Sequence, residues 1–205
     1  MMENLSPEIH EIFKVPVYKV KLDLDIKRLQ SFCAEYKHKN KTVRVSNNVG
    51  GYQSNDLPLI DTALQPLIKE IKIHSNIFAK GFINNNEQVL SNMWMNSNLY
   101  KDYDRSHNHP NCDISGVFYI KTPDNCGEIV FEHPAISTLS YYDSALHRLG
   151  EGRGPTEINA YNSATWKLPP IENTIYLFPG WVTHSVKANE NKTEERLSLS
   201  FNTTQ

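Results

Sequence analysis

The chain has 205 residues, of which 39% are apolar, 10% aromatic and 21% charged, with a formal charge of −2. A chain of this length fits one domain that buries roughly 70% of its unfolded surface, so its stability requires neither disulfides nor a structural metal. The near balance of 21 basic and 23 acidic residues argues against a generic nucleic-acid binder; no apolar run reaches the ~20 residues of a membrane helix, and no basic region followed by an apolar stretch marks a secretory signal. Cys33, Cys112 and Cys126 are odd in number and widely spaced, which reads as reduced thiols of a cytoplasmic protein. The eight histidines are unevenly placed.

In chain order, residues 17–26 (VYKVKLDLDI) alternate, with Val20, Leu22, Leu24 and Ile26 on one side and Lys21, Asp23 and Asp25 on the other. That is the pattern of a half-buried strand. Asp25 is then placed to cap a helix with Ile26, Leu29, Cys33 and Tyr36 on one stripe. Beyond the Gly50–Gly51 turn, residues 59–80 predict a second helix through Leu64, Leu67, Ile68, Ile71 and Phe78, with Pro66 in its first turn or at a kink. From about residue 88, short β-rich runs follow one another: VLSNMWMN, SGVFYI, GEIVFEH, NTIYLFP, WVTHSVKA and RLSLSFN. Turn residues separate them, as in a sandwich or barrel. Residues 135–170, with Gly150, Gly152, Gly154, Pro155, Pro169 and Pro170, read as an irregular insertion and a candidate lid. The expected organisation is a single domain over 1–205, mainly β with flanking α. A support region, 1–87, would pack its helices on one sheet of a β core, 88–205.

His107 and His109 stand one dipeptide apart in Ser106-His107-Asn108-His109-Pro110. A strand's period of two puts them on the same side, where they can chelate one ion. His184 follows the Pro179–Gly180 turn, on the next strand. A pair at one strand and a distant histidine on a neighbour is how a β-barrel builds a three-ligand face with positions left open for substrate and dioxygen. Each has a plainer alternative taken singly: a loop accident for the pair, a satisfied core residue for His184. In RLSLSFN, Arg196, Ser198, Ser200 and Asn202 share one face, and Leu197, Leu199 and Phe201 the other. A solvated outer face would explain this. One arginine among small hydroxyls also suits the interior of a ligand-binding barrel, where Arg196 can clamp a carboxylate and Ser198 can assist. Asn96 shares a face with Asn92 and Trp94; Asn96 is a cavity candidate, and Trp94 reads as core. Trp181 reads as core or cavity wall. His10, His38, His74 and His147 read as surface residues, and His133 as a residue that borders the cavity or lies outside it. Cys112 reads as a bystander, because a thiolate beside oxygen chemistry would be oxidised.

Together, H-N-H-P-N-C-D-I-S-G-V-F-Y-I, G-E-I-V-F, L-F-P-G-W-V-T-H-S-V and R-L-S-L-S-F-N resemble the iron(II)/2-oxoglutarate-dependent oxygenases. More narrowly, they resemble a group of small oxygenases of marine bacteria and phages, over roughly residues 90–202. The resemblance implies a double-stranded β-helix, a jelly-roll or cupin-like fold. It implies iron(II) and 2-oxoglutarate as cofactors and ascorbate as a reductant. His184 would be the distal iron ligand and Arg196 the partner of the far carboxylate of 2-oxoglutarate. Ser198, Tyr119 and Asn96 are further candidates for binding the same molecule.

The family's usual triad is His-x-Asp/Glu followed by a distal histidine, but here the second position is His109. Three readings stand. His107, His109 and His184 form a three-histidine site; Asp113 swings in as the carboxylate; or one histidine of the pair stands behind the metal and water or chloride completes it. The first is preferred, because the dipeptide spacing matches the motif.

The activity implied is oxidative decarboxylation of 2-oxoglutarate coupled to hydroxylation of a small-molecule or peptidyl substrate, with dioxygen as co-substrate. The setting would be the cytoplasm (the host's, if phage-encoded), and a homo-oligomer is left open. A nucleic-acid substrate is disfavoured by charge. Two other functions compete: a cupin-like metal-binding protein holding zinc or nickel without oxygenase activity, and a three-histidine dioxygenase of the thiol-oxidising kind, in which Arg196 would clamp the substrate's own carboxylate.

Overall fold

The computed structural model describes residues 8–43, 47–83, 87–137 and 159–205. In chain order its elements are β1 (Tyr18–Lys21), α1 (Ile26–Lys39), β2 (Asn48–Val49), β3 (Tyr52–Gln53), α2 (Gln65–Ala79), β4 (Val89–Asn98), β5 (Tyr103–His107), β6 (Ile114–Lys121), β7 (Ile129–Glu132), β8 (Thr165–Leu168), β9 (Thr174–Pro179), β10 (His184–Val186) and β11 (Arg196–Thr204). A six-stranded sheet runs in the order β1-β9-β6-β11-β4-β3, and a five-stranded sheet in the order β2-β5-β10-β7-β8. Among the described residues, no helix is long and apolar enough to cross a membrane.

Local chemistry starts and stops the helices. The Asp25 carboxylate accepts the Arg28 N–H at 3.0 Å and caps α1. Lys37, His38 and Lys39 in its last turn oppose the negative end of the helix dipole. α2 begins at Gln65, later than the apolar spacing suggests, because residues 58–64 are taken up by turns, in one of which Asp61 accepts the Ala63 N–H at 2.8 Å. Pro66 sits in the first turn of α2, where its missing N–H is not needed.

Both helices press their apolar stripes on the outer face of the six-stranded sheet. Leu29, Cys33, Leu67, Ile71 and Phe78 meet Met93, Met95, Phe118, Leu177, Leu199 and Phe201 there. A second cluster, including Val117, Tyr119, Phe131, Tyr176, Phe178 and Val182, fills part of the space between the sheets. β11 therefore alternates between two buried environments. Leu197, Leu199 and Phe201 face the helices, while Arg196, Ser198, Ser200 and Asn202 face a cavity between the sheets. The polar face is interior.

Four strands, β2, β3, β5 and β8, lie where no apolar pattern announces them. β5 (YDRSH) is a strand because β2 and β10 pair with it from either side. β8 pairs with β7 and lies inside the stretch expected to be irregular. Residues 138–158 of that stretch, on which the lid expectation rests, lie outside the described residues.

Candidate metal centre and its cavity

β5 and β10 pair through His184↔His107 and Val186↔Asp104, three steps on β5 against two on β10. That extra residue is a β-bulge. On a regular strand, residues three apart point to opposite faces. The bulge turns Asp104 back to the inward face that His107 already occupies. His109 lies just past the end of β5. Its N–H donates to the Gly180 carbonyl at 2.9 Å, so the Pro179–Gly180 turn holds His109 on one side and leads into His184 on the other.

Ligand-capable atoms of His107, His109 and His184 all lie within 4.8 Å of one another. Nδ1 of His107 is 2.7 Å from the Arg105 carbonyl, and Nδ1 of His184 is 3.0 Å from the Val182 carbonyl. A carbonyl can only accept, so both Nδ1 atoms carry the proton and both Nε2 atoms present a lone pair. On His107 that lone pair accepts from Asn47 Nδ2 at 3.2 Å. Burial, reinforced by neighbouring His107, pushes His109 down to about 4. Burial pushes His184 down to about 3, with His107 and His109 adding and the Val182 carbonyl opposing. Both are free bases, the form that binds a metal. Three neutral imidazoles on one face suit iron(II), and also zinc or nickel.

Asp113 is not brought to the histidines. Its carboxylate accepts the Gln205 N–H at 2.9 Å and Gln88 Nε2 at 3.4 Å, which ties the start of β6 to the last residue of the chain.

The histidines open on a cavity of about 550 Å³. Asn96, Ser198 and Tyr119 form one row across β4, β11 and β6, and all three line it. Arg196, opposite Asn98, is one alternation step away and 1% exposed. Its Nη1 donates to the carbonyls of Cys126, Gly127 and Lys187. Its Nη2 is buried without a hydrogen-bond partner, as is Asn98 Nδ2. A guanidinium buried with one edge unpaired is built to receive an anion. Gly127 (φ +87°) allows this arrangement, since a Cβ there would lie 2.2 Å from the Lys187 oxygen and 2.8 Å from Arg196 Nη1. Burial pushes the Tyr119 hydroxyl well above its usual value against the opposing pull of Arg196, so it remains a neutral donor. Burial likewise pushes the Asp104 carboxyl up, against Arg196 and His107.

Trp94 belongs to the cavity wall rather than the core, its ring 5.6 Å from that of His109. Trp181 is 54% exposed and does not line the cavity. His133 lies outside it, with Nδ1 accepting the Ala135 N–H. His74 is partly buried, with Nδ1 2.9 Å from the Tyr18 hydroxyl and Nε2 3.4 Å from the Glu70 carboxylate, whereas His10 and His38 are exposed. His147 lies outside the described residues. Burial pushes the Cys112 thiol up, and its Sγ donates to the His109 carbonyl, in keeping with a bystander. Asn98 continues the Asn92, Trp94 and Asn96 face of β4, a period-two signal; Asp104, Asn47 and Gly127 had no signal in the sequence and enter the site through the β5 bulge, the residue ahead of β2 and a turn.

Residues 92–202, more than half of the chain, match the family model described as "Putative 2OG-Fe(II) oxygenase". Among solved structures, the chain is similar to a prolyl-4-hydroxylase of Pseudomonas putida (13% identity, TM-score 0.59, covering 92% of this chain and 92% of that one). It is similar to HygX of Streptomyces hygroscopicus with nickel and 2-oxoglutarate bound (10% identity, TM-score 0.62, covering 93% and 83%). It is also similar to a prolyl hydroxylase of Trichoplax adhaerens in complex with a hypoxia inducible factor peptide fragment (12% identity, TM-score 0.60, covering 92% and 83%). At these identities the likeness shows the fold, a double-stranded β-helix. No curated protein matches the chain in sequence.

Proposed function

On the match of residues 92–202 the chain belongs to the 2OG-Fe(II) oxygenase family, and from that premise we propose that it couples oxidative decarboxylation of 2-oxoglutarate to hydroxylation of a small-molecule or peptidyl substrate. One observation supports this most: a cluster of three imidazoles and a buried arginine with an unpaired Nη2 face the same cavity. In this reading His107, His109 and His184 hold the iron, and Arg196 takes the far carboxylate of 2-oxoglutarate. Iron(II) held there with 2-oxoglutarate and dioxygen supplies the oxidative decarboxylation and the oxidising power for attack on a C–H bond.

The chain's own work is placement. The Arg105 and Val182 carbonyls fix the tautomers of His107 and His184 and aim their Nε2 atoms. Three backbone carbonyls hold Arg196 by Nη1, so Nη2 meets its anion without reorganising. Ser198, Tyr119 and Asn96 offer neutral hydrogen bonds in one row beside it. Trp94, next to His109, supplies an aromatic wall for the prime substrate. Asn47 must give up the His107 lone pair when a metal takes it. The peptide in the Trichoplax complex supports keeping a peptidyl substrate in view. Free thiols at Cys33, Cys112 and Cys126 support a reducing, cytoplasmic setting.

Purified protein given iron(II), ascorbate and labelled 2-oxoglutarate should release labelled carbon dioxide, and Arg196→Ala should not. If Arg196→Ala turns over like wild type, the carboxylate assignment is wrong. Iron binding with no anaerobic spectral response to 2-oxoglutarate would favour a metal-binding protein or a three-histidine dioxygenase instead.

A further inference from the structure

The three-histidine cluster leaves a charge unaccounted for, and the cavity holds a residue that can balance it. A dication on neutral imidazoles, with a guanidinium facing a bound dicarboxylate, leaves one net positive charge in a buried space. Asp104 lines the same cavity and is 8% exposed. No described residue reaches its carboxylate by a hydrogen bond or an ion pair within 4.0 Å. Burial pushes its carboxyl up; Arg196 and His107 favour the charged form, and Asp102 opposes them. The other acid lining the cavity, Asp56, is exposed and accepts from Asn92 Nδ2. The bulge turns this carboxylate inward, and its oxygens, met by no donor among the described residues, open on the cavity that the three histidines share.

We propose that Asp104 is the carboxylate of this metal centre, acting as a buried counter-charge beside His107 rather than as a ligand, and that it raises the affinity of the three histidines for a divalent cation. The inference rests on the reading of His107, His109 and His184 as the metal site. It places Asp104 between two demands. Asp104 attracts the cation, and it competes with 2-oxoglutarate for the field of Arg196. Neutralising it must therefore move the two affinities in opposite directions.

The test uses Asp104→Asn, which is isosteric and uncharged, and Asp104→Glu, which keeps the charge. Cobalt(II) and iron(II) affinities are measured by anaerobic calorimetry, 2-oxoglutarate affinity at saturating nickel(II), and unfolding on metal-free protein. Asp104→Asn should weaken metal binding about tenfold or more. It should tighten 2-oxoglutarate binding severalfold and leave the metal-free protein at least as stable as wild type. Asp104→Glu should stay nearer wild type in metal affinity. A merely structural Asp104 predicts lower stability with both affinities weakened together, and that result overturns the proposal. So does unchanged metal affinity in Asp104→Asn, or its failure to fold. His184→Ala and Arg196→Ala keep the two levels apart. If His184→Ala still binds metal as wild type does, the metal-site reading itself falls. If it loses the metal while Asp104→Asn does not weaken it, only the role of Asp104 falls.

Discussion

Imidazole takes a metal only as the free base, and the burial that keeps His109 and His184 neutral makes the metal-free protein sensitive to acid. In the unfolded chain both titrate near the ordinary 6.5, whereas in the fold they stay neutral down to about 4 and about 3. Between those limits the unfolded chain binds protons that the folded chain does not. Stability therefore falls as pH drops through 6.5 and stops falling below the folded values. At pH 5 the loss amounts to roughly 2 kcal/mol per histidine. Urea unfolding of metal-free protein at pH 7 and pH 5 should show it, and His109→Gln should remove one histidine's part. Gly127 acts at the same scale without touching any ligand. An added methyl must push the Lys187 carbonyl or Arg196 Nη1 aside. Gly127→Ala should weaken 2-oxoglutarate binding about tenfold, the worth of one charge-assisted hydrogen bond, with metal affinity unchanged in calorimetry.

At the scale of elements, the legible parts are those whose cause is local. The α1 cap needs only Asp25 and its own first turn. Asp25→Ala should cost about 1 kcal/mol, read as a lower Tm with no change in metal affinity. The two faces of β11 are legible for a related reason. Strict alternation separates them, and the absence of Lys and Glu from the polar face marks it as interior. What is not legible comes from pairing. β5 has no apolar alternation, and its identity as a strand lies in its neighbours β2 and β10. Its bulge is a property of register with β10, so period-two reasoning sends Asp104 away from His107 when the fold brings both inward. Trp94 illustrates the other failure. Its apolar character argues for the core, but its place between Asn92 and Asn96 on β4 puts it on the cavity face. The histidine cluster is legible from the dipeptide spacing of His107 and His109 and from the turn ahead of His184, although His109 reaches it from the loop past β5, held by the Gly180 carbonyl, and not by strand alternation; Asp113 drops out only when the far end of the chain is seen to claim it.

For the whole molecule, the proposed ligand groups are divided between the two sheets. His107 and His184 stand on the five-stranded sheet, and Arg196, Ser198, Asn96 and Tyr119 on the six-stranded sheet. α1 and α2 pack on the other face of the six-stranded sheet, so the Arg196 side rests on a fixed platform. A metal held as proposed would engage histidines of one sheet and of the loop beyond β5. A 2-oxoglutarate molecule joined to that metal and to Arg196 would span the sheets and hold them together. Ligand that binds only the folded state at about 100 times its Kd adds about 2.7 kcal/mol of stability, which for a chain of this size raises Tm by roughly 5–10 °C. Nickel(II) alone should give one increment of Tm, and 2-oxoglutarate added to the nickel form a second. Arg196→Ala should keep the first increment and lose the second, while His184→Ala should lose both, since the dicarboxylate then has no metal to join. If 2-oxoglutarate gives its full increment without metal, the two sheets are not linked through the histidines, and the bridging arrangement fails even where Arg196 binds the anion.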